Sequence, residues 1–242
     1  LREMPESLHD RMDAIERFAA DVSHEIKNPL TSLRSAVETA ARISDPDQQK
    51  KLMNIIQEDV QRLDRLITDI SNASRLDSEL SRAETETIDM AAMLDALCEI
   101  YSASDTEIVV SVEISGEPPF PAKAMEDRLV QVFRNLIQNA ISFSPRGGRV
   151  ALHLSRREAD IEIDVIDEGP GLPEGKLEAV FDRFYSERPE GEKFGTHSGL
   201  GLSISKQIIE AHGGTIRAEN RYKANGAISG ARFIVRLPIA ED

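Results

Sequence analysis

Residues 18–40 read FAADVSHEIKNPLTSLRSAVETA, and the middle of that stretch, HEIKNPL (24–30), sets His24 beside Glu25 with Pro29 five residues after the histidine. Around it the apolar positions Leu8, Met12, Ile15, Ala19, Val22, Ile26, Leu30, Leu33 and Val37 recur every three or four residues, which predicts a long amphipathic helix. The run ISDPDQQ (43–49) breaks it, with Asp45 as N-cap and Pro46 in the first turn of a second helix. That helix repeats through Leu52, Ile56, Val60, Leu63, Ile67 and Ile70. Two long helices joined by a short turn make an antiparallel hairpin. A lone hairpin leaves half of its apolar seam in water, so two chains are expected to pair into a four-helix bundle.

In this register His24 falls at the heptad position furthest from the seam, exposed to solvent. The Glu25 carboxylate could accept a hydrogen bond from one ring nitrogen and leave the other as a free lone pair. Adjacent residues on a regular helix do not face each other, which counts against that pairing. Pro29 lacks the N–H that would bond the Glu25 carbonyl, which frees that carbonyl and is expected to bend the helix there. Asn28, one turn beyond His24, shares its outward face. A zinc site of the HExxH type is excluded because position 28 is Asn. An isolated exposed histidine is more often a neutral surface residue than a nucleophile, so the rest of the chain must decide.

The chain has 242 residues, 43 Asp and Glu against 29 Lys and Arg, and a formal charge of -14. That balance argues against a nucleic-acid-binding surface, and it means a polyanionic ligand needs a cation or a local positive pocket. The one cysteine, Cys98, cannot form an internal disulfide, which fits a reducing compartment. No apolar run reaches the ~20 residues that span a bilayer. The sequence opens on LREMPESLHD without an initiator Met, and is expected to be a piece of a longer protein.

Near SELSRAETET (78–87) the periodicity changes. Residues 89–101, 125–143 and 200–211 are expected to be helices, and 108–114, 149–155, 161–167, 215–220 and 231–238 strands, with a loop at 116–121. Helices and strands mixed after a purely helical hairpin imply two domains divided near residue 80. The helix at 125–143 carries NLIQNA, with Asn135 and Asn139 one turn apart on one face. Asn is a poor helix former, so such a pair suggests a polar ligand or a cation, and carboxamide oxygens suit Mg²⁺. DEGPGLP (167–173) ends a strand with Asp167, Gly169 and Gly171, where a carboxylate could read an exocyclic amine and the glycines let a flat ring approach. Gly199 and Gly201 open a helix, a natural phosphate site, and Gly213–Gly214 stop it. Between these motifs, residues 186–198 are polar, as a mobile lid would be.

Taken in order, HEIKNP, NLIQNA, DEGPG, FDRFY and GLGL resemble the sensor histidine kinases of two-component signalling, over residues from about 12 to the C-terminus. HEIKNPLTSLRSAVET further resembles the ChvG-type kinases of alphaproteobacteria. The fold this implies is an α-helical hairpin, paired as a dimeric four-helix bundle, followed by an α+β sandwich ATP-binding domain of the Bergerat (GHKL) type. The expected division is 1–12 as the end of a signalling linker helix, 13–80 as the dimerisation and histidine phosphotransfer hairpin, and 81–242 as the catalytic ATP-binding domain.

The resemblance also implies roles. His24 matches the phosphoacceptor, Glu25 the acid that activates it, and Asn28 the position associated with dephosphorylating the partner regulator. Asn139 matches the Mg²⁺ ligand, with Asn135 assisting. Asp167 matches the adenine-reading acid, with Gly169 and Gly171 as its supporting turn. Phe181 and Phe184 match the aromatic box beneath the lid, and Gly199 and Gly201 the phosphate-side glycines. ATP and Mg²⁺ are the implied cofactors, and the implied partners are a response regulator receiver domain and a second copy of the chain. The implied location is the cytoplasmic portion of an inner-membrane sensor kinase, attached to the membrane only through segments outside this sequence.

Two departures from the family pattern stand out. Ser142 occupies a position where relatives often have Lys, so a phosphate contact is either missing or supplied by another cation such as Arg183 or Arg188. His197 and Ser198 stand where relatives often have another Gly. Two other functions compete with an ATP-dependent histidine kinase that is also a phosphatase for its regulator. One is a nucleotide-binding dimeric regulatory module without kinase activity. The other is a gyrase-type ATPase, which would need a Glu at the position of Asn135.

Overall fold

The computed structural model describes residues 3–80, 85–102, 107–185 and 199–240, with the backbone alone at 3–15, 17, 77 and 78. Two compact units emerge, one built on the hairpin through Arg75 and the other on the described residues within 76–189 and 201–242.

The hairpin is two helices, α1 (Glu3–Ala40) and α2 (Pro46–Leu80). Helix α1 runs unbroken through Pro29, which is buried, so the missing N–H is absorbed without ending the helix. Asp45 caps α2 as expected: its Oδ1 accepts from the Asp47 N–H at 2.9 Å, ahead of Pro46 in the first turn. The apolar stripe divides into two rows. Val22, Ile26, Pro29, Leu33 and Ala36 on α1, and Leu52, Ile56, Leu63, Leu66 and Ile70 on α2, are buried or half-buried. Leu30 and Val37 on α1, and Met53, Val60 and Ile67 on α2, are about half exposed, each set spaced by seven residues. Heptad spacing is the period of a coiled-coil seam, and here it marks the row that one hairpin does not cover.

The second unit is a five-stranded sheet of order β2-β4-β5-β7-β6 with helices packed on one face. Its strands are β2 (Val109–Ser115), β4 (Arg149–Arg157), β5 (Asp160–Ile166), β6 (Thr215–Tyr222) and β7 (Ile228–Pro238). β2 and β4 are parallel and the other pairs antiparallel. β4 and β5 run closer together than the sequence suggested. Arg157 pairs with Asp160 across a two-residue turn in which Glu158 takes a left-handed φ of 55°.

Helices α3 (Met90–Ser102), α4 (Glu126–Phe143) and α5 (Gly201–Ala211) cover the sheet. Every second residue of β5, Ile161, Ile163 and Val165, is fully buried with Leu129, Phe133, Leu136 and Ile137 of α4 and Ile208 of α5. The alternate residues carry charge. Burial alone would raise the Glu162 carboxyl, but Arg236 at 2.7 Å and Arg157 at 3.3 Å hold it below its ordinary value. Arg232 bonds Asp164 at 2.7 Å and Glu219 at 2.9 Å, which raises its guanidinium further.

Two short strands differ from the sequence expectation: β1 (Glu86–Asp89) and β3 (Pro121–Ala124) pair antiparallel. At four residues each, and with Pro121 opening one of them, neither shows a legible alternation. They anchor α3, since Asp89 Oδ1 accepts from the N–H groups of Ala91 and Phe120. Burial, and secondarily Asp95, push the Cys98 thiol in α3 up to about 11, in keeping with a packed core residue.

Candidate functional site

His24 lies on the exposed face of α1, as its heptad position requires, and Asn28 is exposed one turn further on. Glu25 is half-buried, and its partner is not the neighbouring histidine. Its carboxylate accepts from Arg62 of α2 at 3.2 Å, a pairing of residues 37 apart that neither local pattern reveals.

In the second unit a cavity of about 400 Å³ opens between α4, the loop after β5 and β7. That volume lies within the ~300–1,000 Å³ typical of small-molecule sites. Asn139, Phe143, Asp167, Gly171, Leu172 and Ile228 are among the residues lining it. Asp167 sits at its floor. Burial raises the Asp167 carboxyl above its ordinary value, against the pull of the Ala231 and Gly169 N–H groups and of Arg221. Both N–H groups converge on Oδ1, at 2.9 Å and 2.8 Å, so one oxygen is fixed to the backbone.

The loop that follows has no room for a side chain at either of its glycines. A Cβ on Gly169 would lie 2.8 Å from the Phe143 carbonyl oxygen, and one on Gly171 would lie 2.5 Å from Ile228 Cγ2. Gly171 also has φ +78°, a conformation that glycine adopts without strain. Asn220 of β6 locks this loop from behind. Its Oδ1 accepts from the Leu172 N–H at 2.7 Å and its Nδ2 donates to the Leu172 carbonyl at 2.8 Å.

The two asparagines of α4 have different surroundings. Asn139 lines the cavity, and its carboxamide makes no hydrogen bond to another described residue. Asn135 Nδ2 instead donates to the Gly201 carbonyl at 3.2 Å and to Ser205 Oγ at 3.4 Å, joining α4 to the start of α5. Gly201 is the first residue of α5, and Gly199, with φ +74°, precedes it by two positions. Phe181 is buried edge-on against Phe233 at 6.1 Å, with Lys206 Nζ 5.8 Å from its ring centre. Phe184 is half-buried in a left-handed conformation, φ 61°, which costs a non-glycine residue roughly 1 kcal/mol or more. Residues 186–198, with the expected lid, Arg188, His197 and Ser198, lie outside the described residues. Among the described residues no cluster of His, Cys, Asp and Glu could hold a metal ion.

Two family models match the chain: the His Kinase A (phospho-acceptor) domain at residues 14–79, and the histidine kinase-, DNA gyrase B- and HSP90-like ATPase at 124–241. The chain is 50% identical to the sensor protein ChvG of Rhizobium meliloti over 246 residues, 98% of this chain and 43% of that protein. The chain belongs to the sensor histidine kinases. It spans less than half the length of that kinase, and likewise of the Agrobacterium fabrum ChvG sensor protein, to which it is 49% identical. Among solved structures, histidine kinase ThkA in complex with the response regulator protein TrrA matches with a TM-score of 0.73 and 26% identity. That match covers 96% of this chain and 64% of the ThkA chain.

Set against this kinase family, the cavity and the exposed histidine fall in different matched domains. His24, Glu25 and Asn28 lie in the phospho-acceptor match, while Asn135, Asn139, Asp167, Gly169, Gly171, Phe184, Gly199 and Gly201 lie in the ATPase match. Sequence reasoning missed Arg62 and Asn220. Each acts on a residue far away in the chain, so no local motif announces it.

Proposed function

We propose that this chain is the phosphorylating core of a sensor kinase, which autophosphorylates on His24 from ATP and passes the phosphoryl group to an aspartate of a response regulator. One observation carries the reading. An exposed imidazole on a helical hairpin is joined in one chain to a cavity floored by a buried carboxylate with one backbone-fixed oxygen.

In this reading Asp167 Oδ1 stays bonded to the Ala231 and Gly169 N–H groups, and its other oxygen accepts the exocyclic amine of adenine. Gly169 and Gly171 let the ring approach closely, and Phe184 borders it. The triphosphate runs toward the start of α5 at Gly199 and Gly201, where a helix N-terminus favours anions. Asn139 suits a magnesium ion, because its carboxamide is uncommitted among the described residues and Mg²⁺ takes few protein ligands besides phosphate and water. Asn135 supports it from one turn back. Bound there, the ion neutralises charge on the phosphates.

A ring nitrogen of His24 attacks the γ-phosphorus. The P–N bond forms, the bond to the β–γ bridging oxygen breaks, and ADP leaves with that electron pair. Glu25 stabilises the positive charge that grows on the imidazole, held in place by Arg62. The phosphoimidazole then gives its phosphoryl group to an aspartate of the receiver domain. Asn28, on the same exposed face, orients the water that later hydrolyses the phosphorylated regulator, so the chain also serves as its phosphatase.

The uncovered row of Leu30, Val37, Met53, Val60 and Ile67 supports a homodimer through a four-helix bundle. We assign 1–12 to the end of a signalling linker, 13–80 to dimerisation and phosphotransfer, and 81–242 to ATP binding. No described helix is long and apolar enough to cross a membrane. On its similarity to the ChvG sensor proteins, the chain is read as the cytoplasmic portion of an inner-membrane sensor. The test is transfer: labelled chain freed of nucleotide is mixed with a receiver domain and with its Asp→Asn variant. Label moving to the first and not the second supports the reading, and label that stays on the chain with both contradicts it.

A further inference from the structure

Away from the cavity, one contact joins the far ends of the two helices that carry the site. Helix α5 ends at Ala211, and the chain turns away through Gly213, with φ +72°, and Gly214, whose N–H donates to the Ile209 carbonyl at 2.9 Å. His212 lies in that turn. Its Nδ1 is 2.7 Å from the Ile208 carbonyl oxygen, and its Nε2 is 3.1 Å from the backbone nitrogen of Met125.

The tautomer follows from the partners. A peptide N–H can only donate, so Nε2 accepts, and Nδ1 carries the proton and donates to the Ile208 carbonyl. Met125 is the N-cap residue of α4, and no side chain from within that helix caps it. The ring therefore ties the C-terminal end of α5 to the N-terminal end of α4. At the other end of α5, Asn135 ties α4 to Gly201. The two helices run antiparallel with two fastenings, ten residues and roughly 15 Å apart along α4.

We propose that His212 is a positioning residue for nucleotide binding. By fastening α5 to the N-cap of α4 it fixes the axial register of α5. That register decides where the glycine-bearing N-terminus of α5 stands relative to Asn135 and Asn139. This inference rests on the ATP reading above. Ile204, Ile208 and Ile209 pack α5 onto the sheet, and the directional bonds at Met125 and Gly201 add to that packing in holding its register.

The test compares two near-isosteric variants in the full chain. In His212→Gln the longer amide can place an acceptor where Nε2 stands. In His212→Asn the shorter amide keeps only the contact at the Nδ1 position. ATP affinity is measured by calorimetry, and KM and kcat for autophosphorylation are measured alongside. Loss of one such bond corresponds to roughly a fivefold change in affinity. The Asn variant is expected to show a Kd and KM for ATP about five- to tenfold higher with kcat at saturation unchanged, and the Gln variant to bind within about twofold of wild type. His212→Phe, which lacks both bonds, serves as a third variant and is expected to match Asn. Wild type that binds ATP together with an Asn variant that binds equally well would overturn the inference while leaving the ATP reading intact. An equal loss in Gln and Asn would also overturn it, since reach to Met125 would not matter. Wild type that fails to bind ATP would overturn both.

Discussion

Glu25 of α1 and Arg62 of α2 meet at 3.2 Å across the hairpin, both side chains largely shielded from solvent. The acid next to the candidate phosphoacceptor is thus oriented by the second helix and not by the histidine. Arg62→Met should cost about 1 kcal/mol of hairpin stability, as expected for a partly shielded ion pair. It should also lower the autophosphorylation rate several-fold while leaving ATP affinity unchanged. Thermal unfolding, calorimetry and single-turnover labelling together check this. An unchanged rate would remove Glu25 orientation from the account.

Gly171→Ala should reduce nucleotide affinity at least tenfold. The new Cβ would fall 2.5 Å from Ile228 Cγ2 and 2.7 Å from Asn220 Oδ1, and φ +78° adds roughly 1 kcal/mol of backbone strain. The loop can relieve the overlap only by leaving Asn220, which moves Leu172 in the cavity wall. Calorimetric titration with ATP reads the effect.

Much of this was legible in the sequence, and the reasons differ by element. The long helices announced themselves because each repeats its apolar period over many turns. β4, β5 and β7 were legible through alternation, and the Asp45–Pro46 start of α2 through its capping chemistry. β1 and β3 were not, being four residues each and stabilised by pairing with each other. At the site, His24, Asn139 and Asp167 sit in motifs. Arg62, Asn220 and His212 act on residues 37 to 87 positions away, and only folding brings such partners together.

Asp167 makes stability and binding respond to pH in opposite directions. Its folded carboxyl is raised above the ordinary ~3.9 of an unfolded Asp. Between those two values the folded chain binds more protons than the unfolded one, so its contribution to stability is full below about pH 4 and is lost as pH rises through the folded value. Wild type should therefore lose stability relative to Asp167→Asn over that interval. Its advantage in nucleotide affinity over the same variant should grow with pH, because the ionised oxygen is the better acceptor for an amine. Parallel melting and binding profiles of the two proteins check both signs.

Val60→Asp should abolish the proposed dimer, which light scattering reads on the unsubstituted chain, without unfolding the hairpin. Val60 is 52% exposed in a single chain and belongs to the heptad row with Met53 and Ile67. A carboxylate there is hydrated in the monomer and would be buried unpaired in a four-helix bundle, at a cost of several kcal/mol. Light scattering gives the mass and circular dichroism the helicity. A variant that keeps its dimeric mass would place the interface elsewhere.

The most direct measurement is the site of phosphorylation itself. The chain and its His24→Gln variant are incubated with γ-labelled ATP and Mg²⁺, and the labelled protein is tested for stability in acid and in base. The label is expected to be lost in acid, kept in base and absent from the variant. Label of equal intensity on the variant would contradict His24 as the acceptor, and no label on a wild-type chain that binds ATP would contradict kinase activity in this chain.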